Sequence, residues 1–235
     1  MAKAKQLNLW VRVFLPFAAG YYLSYLLRTV NAVIAPELTR ELSLTAADLG
    51  LLTSAYLLAF AAFQIPLGLL LDRYGPRRVE GGLMLLAAAG TLLFALGTST
   101  LELTLARGLI GLGVSACLMA AFKGFTQNFP PDRQASLTGA IMASGGLGAV
   151  SASLPLEIAL PLFGWRGVFQ GLTFLLVAVA ALIFFSVPQR EAGVSRDSLG
   201  TQLKDVAGIL ANRVFWRYAP PMALITGGFM AVQGL

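Results

Sequence analysis

The sequence predicts an all-α membrane protein: a bundle of six transmembrane helices, an amphipathic linker helix and a truncated seventh transmembrane helix. Three observations carry that expectation. Hydrophobic residues fill 57% of the 235 positions and charged residues only 12%, with a mean hydropathy of +0.76, whereas a soluble domain carries roughly 25% charged residues. The apolar residues fall in runs of the length that crosses a hydrocarbon core about 30 Å thick. Those runs are continuous rather than alternating, which suits helices that satisfy their own backbone groups and not the strands of a membrane barrel.

Seven segments follow in order, each bounded by charge, Pro or Gly: Val11 to Pro36, Asp48 to Leu71, Val79 to Gly97, Glu102 to Phe122, Leu137 to Pro161, Gly167 to Val187, and Tyr218 onward. The start has a second reading as a cleaved signal peptide, since Lys3, Lys5 and Arg12 precede the apolar run and Ala18-Ala19-Gly20 resembles a cleavage site. The run continuing well past that point favours a first span. Residues 1–187 are therefore expected to form the N-terminal bundle. Residues 188–217 are more polar, and Leu199, Leu203, Val206, Leu210 and Val214 recur there at helical spacing, as in an amphipathic helix lying at a membrane surface. Residues 218–235 then start a seventh helix that ends at Gln233-Gly234-Leu235, so the chain is expected to be a truncation whose C-terminal half is missing.

The net charge of +6 explains itself as topology. With the N-terminus in the cytoplasm, short inner loops and ends collect Lys3, Lys5, Arg12, Arg73, Arg77, Arg78, Lys123, Arg133, Arg190, Arg196, Lys204, Arg213 and Arg217, while Arg40 and Arg166 fall outside. That asymmetry orients a multi-pass protein of the inner (plasma) membrane. Nucleic acid is excluded as a partner, because the basic residues are interleaved with long apolar runs. The chain has no histidine and one cysteine, Cys117, which removes imidazole chemistry and an internal disulfide. It has no nucleotide loop, zinc-ligand set or nucleophile with its base. No cofactor, metal or catalytic residue is expected, and no enzyme.

After the second segment comes Gly68-Leu-Leu-Leu-Asp72-Arg73-Tyr-Gly75-Pro-Arg77-Arg78. Gly68 would permit close approach of a neighbouring helix, Gly75 a tight turn, and Asp72 a negative charge near basic groups and helix N-termini. A topogenic basic loop explains Arg77 and Arg78 but not Gly68 and Asp72 at these spacings. At all six diagnostic positions the segment resembles the inner-loop signature of the major facilitator superfamily. The resemblance implies an MFS-type fold of two six-helix halves, secondary transport by alternating access, and a gating role for Gly68, Asp72, Arg73, Gly75, Arg77 and Arg78 as a charge latch between the halves.

Two arginines lie within segments. Arg107 precedes Gly108, Gly111 and Gly113, similar to the superfamily's second motif. A charge there is costly unless it faces the bundle interior or snorkels to an end; the resemblance links it to proton coupling or first-helix packing. Arg28 follows Tyr21, Tyr22 and Tyr25 and precedes Asn31. Tyr21, Tyr25 and Arg28 share one helix face at spacings of four and three. The stretch from Tyr22 to Pro36 resembles the first helix of organic-anion and organophosphate members, which implies Arg28 as an anion contact with the tyrosines as cavity walls. A guanidinium binds two oxygens of a carboxylate or phosphate at once. The alternative is a structural pair of Arg28 with Glu157 or a backbone carbonyl.

The fifth segment carries Gly139, Gly145, Gly146 and Gly148, suited to close helix packing. It lacks the Gly-Pro pair of the superfamily's exporters. Glu157 in the same segment is the expected proton-coupling carboxylate, with an interfacial position as its alternative. Tyr56 and Gln64 are further candidates for the cavity wall or for helix-to-helix hydrogen bonds. Trp165 fits either a family-like turn or an interfacial aromatic belt. The expected function is uptake of a small organic anion, a carboxylate or organophosphate, coupled to protons. A proton-coupled exporter of drugs or metabolites and a non-transporting membrane scaffold stand as alternatives.

Overall fold

The computed structural model describes residues 8–189, 208 and 211–234, and the chain divides into two units, Met1–Ala192 and Gly193–Leu235. Among the described residues there is no strand. In the first unit α1, Leu15–Leu42, follows a π-helical stretch, Trp10–Phe14. The sequence placed the end of this span at Pro36, yet the helix runs on through it and stops only at Ser43, where φ is 54°. Ala18 and Gly20 are buried within α1, so the stretch that resembles a cleavage site is packed core.

Thr45 and Ser99 open α2 (Ala46–Ala62) and α4 (Thr100–Val114) with capping boxes whose acidic members are Asp48 and Glu102. The segments drawn from hydropathy thus began at the third helical residue, because the capping turn ahead of it is polar. Helix α2 is followed at Phe63 by α3, Gln64–Leu96. Pro66 lacks the N–H that would bond to Ala62 and kinks this junction. Helix α4 leads through Ser115 and Ala116 to α5, Cys117–Asn128. Helix α6, Gln134–Ser151, turns at Ser153 into α7, Leu154–Ser186, whose first turn contains Pro155.

Two of these helices are each two rods in one. Gly75 (φ 77°) breaks α3 and Gly164 (φ 64°) breaks α7; only glycine adopts this backbone without strain, and the chain reverses there. The first six segments therefore map onto α1, α2 with the start of α3, the rest of α3, α4 with α5, α6 with the start of α7, and the rest of α7. Gln64–Leu96, Thr100–Asn128 and Leu154–Ser186 are long and apolar enough to cross a membrane. Packing joins α3 to α7 and α4, α2 to α4, and α1 to α6.

The core holds Phe17, Leu27, Ile34, Leu52, Met84, Phe94, Ile110, Phe125 and Phe169, all inaccessible. The outside is also apolar, with Leu58, Leu147, Phe174 and Phe185 exposed. In the most apolar window of Leu154–Ser186 only 28% of residues are buried. So much contiguous apolar exposure suits lipid, not water, as the solvent.

In the second unit α8 spans Arg213–Gly234. It starts five residues before the predicted seventh span, with the Asn212 carboxamide oxygen accepting the Val214 N–H at 2.8 Å as an N-cap. Val214 is exposed in its first turn. Leu199, Leu203, Val206 and Leu210 of the expected linker helix lie outside the described residues.

Candidate functional site

Helix α1 builds an aromatic wall that ends in a cation. Tyr21 is buried and Tyr25 half-buried, with their rings edge-to-face at 5.0 Å and the Tyr21 hydroxyl donating to Met142 Sδ at 3.7 Å. The half-buried Arg28 lies with its guanidinium carbon 4.8 Å from the Tyr25 ring centre and 5.3 Å from that of Phe60 on α2. Cation–π contacts at this range help to hold a guanidinium in place. The shared face read from the spacing of Tyr21, Tyr25 and Arg28 is therefore present, and Phe60 is a member that the sequence reading missed. Tyr22 is half-buried. Its carbonyl oxygen sits against Gly148 so closely that a Cβ there would collide with it.

Arg107 is inaccessible, so the interior placement holds and snorkelling does not. Its Nη1 donates to the Leu27 carbonyl oxygen on α1 at 2.9 Å, and its guanidinium carbon lies 4.7 Å from the Tyr56 ring centre. Its Nε and Nη2 have no hydrogen-bond partner among the described residues. Tyr56, itself buried, thus stands beside Arg107, within electrostatic reach of Arg28. The other two candidates link helices: Asn31 Nδ2 donates to Thr53 Oγ1 at 3.1 Å, and Gln64 Nε2 to the carbonyl oxygens of Phe60 and Ser115 at 3.3 and 3.5 Å.

At the end of the bundle reached by α2 and the start of α3, Gly75 makes the expected turn, and exposed Asp72 pairs with Lys123 near the end of α5. Lys123 had been read only as a topological charge. This ion pair is internal to the bundle. Gly68 corrects the packing reason given for it, since a Cβ there would meet nothing within 4 Å. Arg73 lies 5.5 Å from the Tyr74 ring centre, Arg77 is half-buried and Arg78 exposed.

The opposite end is tied by a clamp that the sequence did not suggest. Glu41, in the last turn of α1, accepts from Trp165 Nε1 at 2.6 Å and from Arg166 Nη1, while Arg166 Nη2 donates to the Gly97 carbonyl oxygen at 3.0 Å. Trp165 is buried and is no interfacial belt residue. Carboxylates divide unexpectedly as well. Glu157, expected as the proton-coupling carboxylate or as an interfacial residue, is exposed in the first turn of α7. Glu80, overlooked beside the basic loop, is inaccessible, and neither of its oxygens has a hydrogen-bond partner among the described residues.

The glycine turn within the Gly68–Arg78 signature agrees with what a family profile finds independently. Residues 17–235 match the profile of the Major Facilitator Superfamily. The chain belongs to that superfamily. Among curated members it is 30% identical over 149 residues to a probable sulfoacetate transporter, SauU, of Cupriavidus necator, covering 63% of this chain and 35% of that protein. It is 28% identical over 240 residues to a hexuronate transporter of Escherichia coli K12, covering 95% and 55%. Against a galacturonate transporter of Dickeya chrysanthemi it is 27% identical over 224 residues, covering 87% and 64%. The chain thus spans between about a third and two thirds of the length of these Major Facilitator Superfamily relatives.

Proposed function

We propose that this chain supplies the N-terminal bundle of a proton-coupled importer of small organic anions, with sugar acids as the leading substrate class. The bundle works against a second one by alternating access, in the inner membrane with its N-terminus in the cytoplasm. The observation that carries the reading is Arg28 on α1, lying against the rings of Tyr25 and Phe60 and within electrostatic reach of Tyr56, whose ring also carries Arg107. The compounds that relatives are named for, hexuronate, galacturonate and sulfoacetate, all carry an anionic group. Tyr21, Tyr22 and Tyr25 form the wall, and Arg28 offers two parallel donors to a carboxylate. Arg107 supports the site by holding α1 through the Leu27 carbonyl. The basic turn from Gly68 to Arg78 is the inner latch.

The test is uptake of labelled galacturonate by cells making the full transporter, with carboxylates and phosphate esters as competitors. Arg28→Lys weakens affinity because one donor replaces two, and Arg28→Ala removes a charge-assisted pair worth about 1.5–3 kcal/mol, a loss of roughly tenfold or more. Unchanged affinity in Arg28→Ala at normal protein levels refutes the contact. Transport of neutral or cationic drugs, indifferent to anions, would support the exporter alternative instead.

A further inference from the structure

Glu80 has no place in the reading above, and its surroundings are unlike those of any other acid in the bundle. It lies five residues past the Gly75 turn on α3 and is inaccessible, with both carboxyl oxygens lacking a hydrogen-bond partner among the described residues. From α1 it is met by Gly20, where a Cβ would collide with its Oε1. Ser24, one turn further along α1, is buried too. From α5 the facing titratable group is Cys117, 1% exposed, whose thiol donates to Met84 Sδ at 3.9 Å. Arg28 is the charge whose field extends to Cys117, and no cation forms an ion pair with Glu80 among the described residues.

A carboxylate buried away from water and cations, with only a weak thiol donor beside it, costs several kcal/mol or more, whereas the neutral acid costs only the burial of a polar group. We infer that Glu80 is a proton-binding site, and that its proton is what allows its side chain to lie against α1 at Gly20. Releasing the proton to water requires water at the carboxylate, and the contact between Glu80 and Gly20 leaves none room. Loss of the proton therefore goes with the parting of α1 from the Glu80 side chain at this point. Gly20 and Arg28 are eight residues apart on one helix, about 12 Å, so the same movement carries the anion contact with it. Proton occupancy at Glu80 and the position of Arg28 are thus two readings of one helix displacement. This link to the anion rests on the function proposed above; the proton site itself does not.

The experiment keeps the two apart. In pH-difference infrared spectra of the protein in lipid bilayers, a protonated-carboxyl C=O band is expected that Glu80→Gln abolishes and Glu157→Gln leaves in place. No such band in the parent protein, or a band that survives Glu80→Gln, overturns the proposal. Should Glu80→Gln fail to reach the membrane, Glu80→Asp is expected to shift the band, and an unshifted band overturns the proposal equally. In transport, Glu80→Gln is expected to lose accumulation of galacturonate driven by an imposed proton gradient, its residual uptake no longer following external pH. Gradient-driven accumulation equal to the parent's overturns the link to Arg28. A parent protein that moves no anion at all overturns the proposed function, while the infrared band still decides whether Glu80 holds a proton.

Discussion

Gly145 and Gly146 are adjacent in sequence, and the structure assigns them opposite consequences. A Cβ on Gly145 would lie 2.6 Å from Tyr21 Cε1 and 3.0 Å from Tyr25 Cδ2, whereas one on Gly146 would meet nothing within 4 Å. Carbon contacts relax near 3.5 Å, so Gly145→Ala requires the Tyr21 ring to retreat by about 0.9 Å. That ring is buried, stacked edge-on with Tyr25 and bonded to Met142, so α6 and α1 must part or the aromatic wall must tilt. Overpacking of this kind costs about 1–3 kcal/mol, which in a chain of this size lowers the melting midpoint by roughly 2–12 °C. Because Tyr25 also holds Arg28, anion affinity falls in the same variant. Gly146→Ala stays within about 0.5 kcal/mol of the parent. The assay is thermal unfolding of both variants in detergent, followed by concentration-dependent uptake of galacturonate. Equal melting behaviour of the two variants would refute the packing of α6 against the tyrosine face. A destabilised Gly145→Ala with unaltered affinity would refute the link from that face to Arg28.

Arg107→Met removes the hydrogen bond to Leu27 but also two buried donors without partners. Replacing such a charge by an apolar chain of similar length is often neutral or stabilising by about 1–4 kcal/mol; the variant is expected to melt no lower than the parent and yet to transport poorly. A large drop in melting temperature would show that the Leu27 bond stabilises the bundle as a whole rather than setting the position of α1. Trp165→Phe keeps an aromatic ring and loses the bond to Glu41, a cost of about 1.5–3 kcal/mol, and a double-mutant cycle with Glu41→Leu, which has no acceptor, should recover that coupling. Asp72→Asn breaks a pair whose acid is 59% exposed, so stability should change by no more than about 1 kcal/mol. Uptake should suffer far more if the turn gates access, and normal uptake in this variant would remove the latch from the mechanism.

Much of the fold was legible because membrane helices announce themselves through length and apolar continuity, both local properties. The turn at Gly75 was visible for the same reason, since it needs a particular residue at a particular offset; the starts at Thr45 and Ser99 were not, because the polar capping residues lie outside the apolar runs. The Tyr21, Tyr25 and Arg28 face was legible because one helix carries all three. Where reasoning about side chains failed, a second helix was involved. Phe60 joins Arg28 from α2, Lys123 reaches Asp72 from α5, and Trp165 finds Glu41 across the bundle.

By itself, then, the sequence determined that this is a helical membrane protein of the Major Facilitator Superfamily, with its rods and turns in order. The tertiary structure alone decided which face of each rod is covered. A helix apolar on all sides carries no moment from which its inner face can be read. Gly68 and Gly145 therefore looked alike, though one is open and the other closed on Tyr21. Glu157 was expected as the proton-coupling carboxylate, yet it is exposed, whereas Glu80, which drew no expectation, is inaccessible with its side chain against Gly20 of α1.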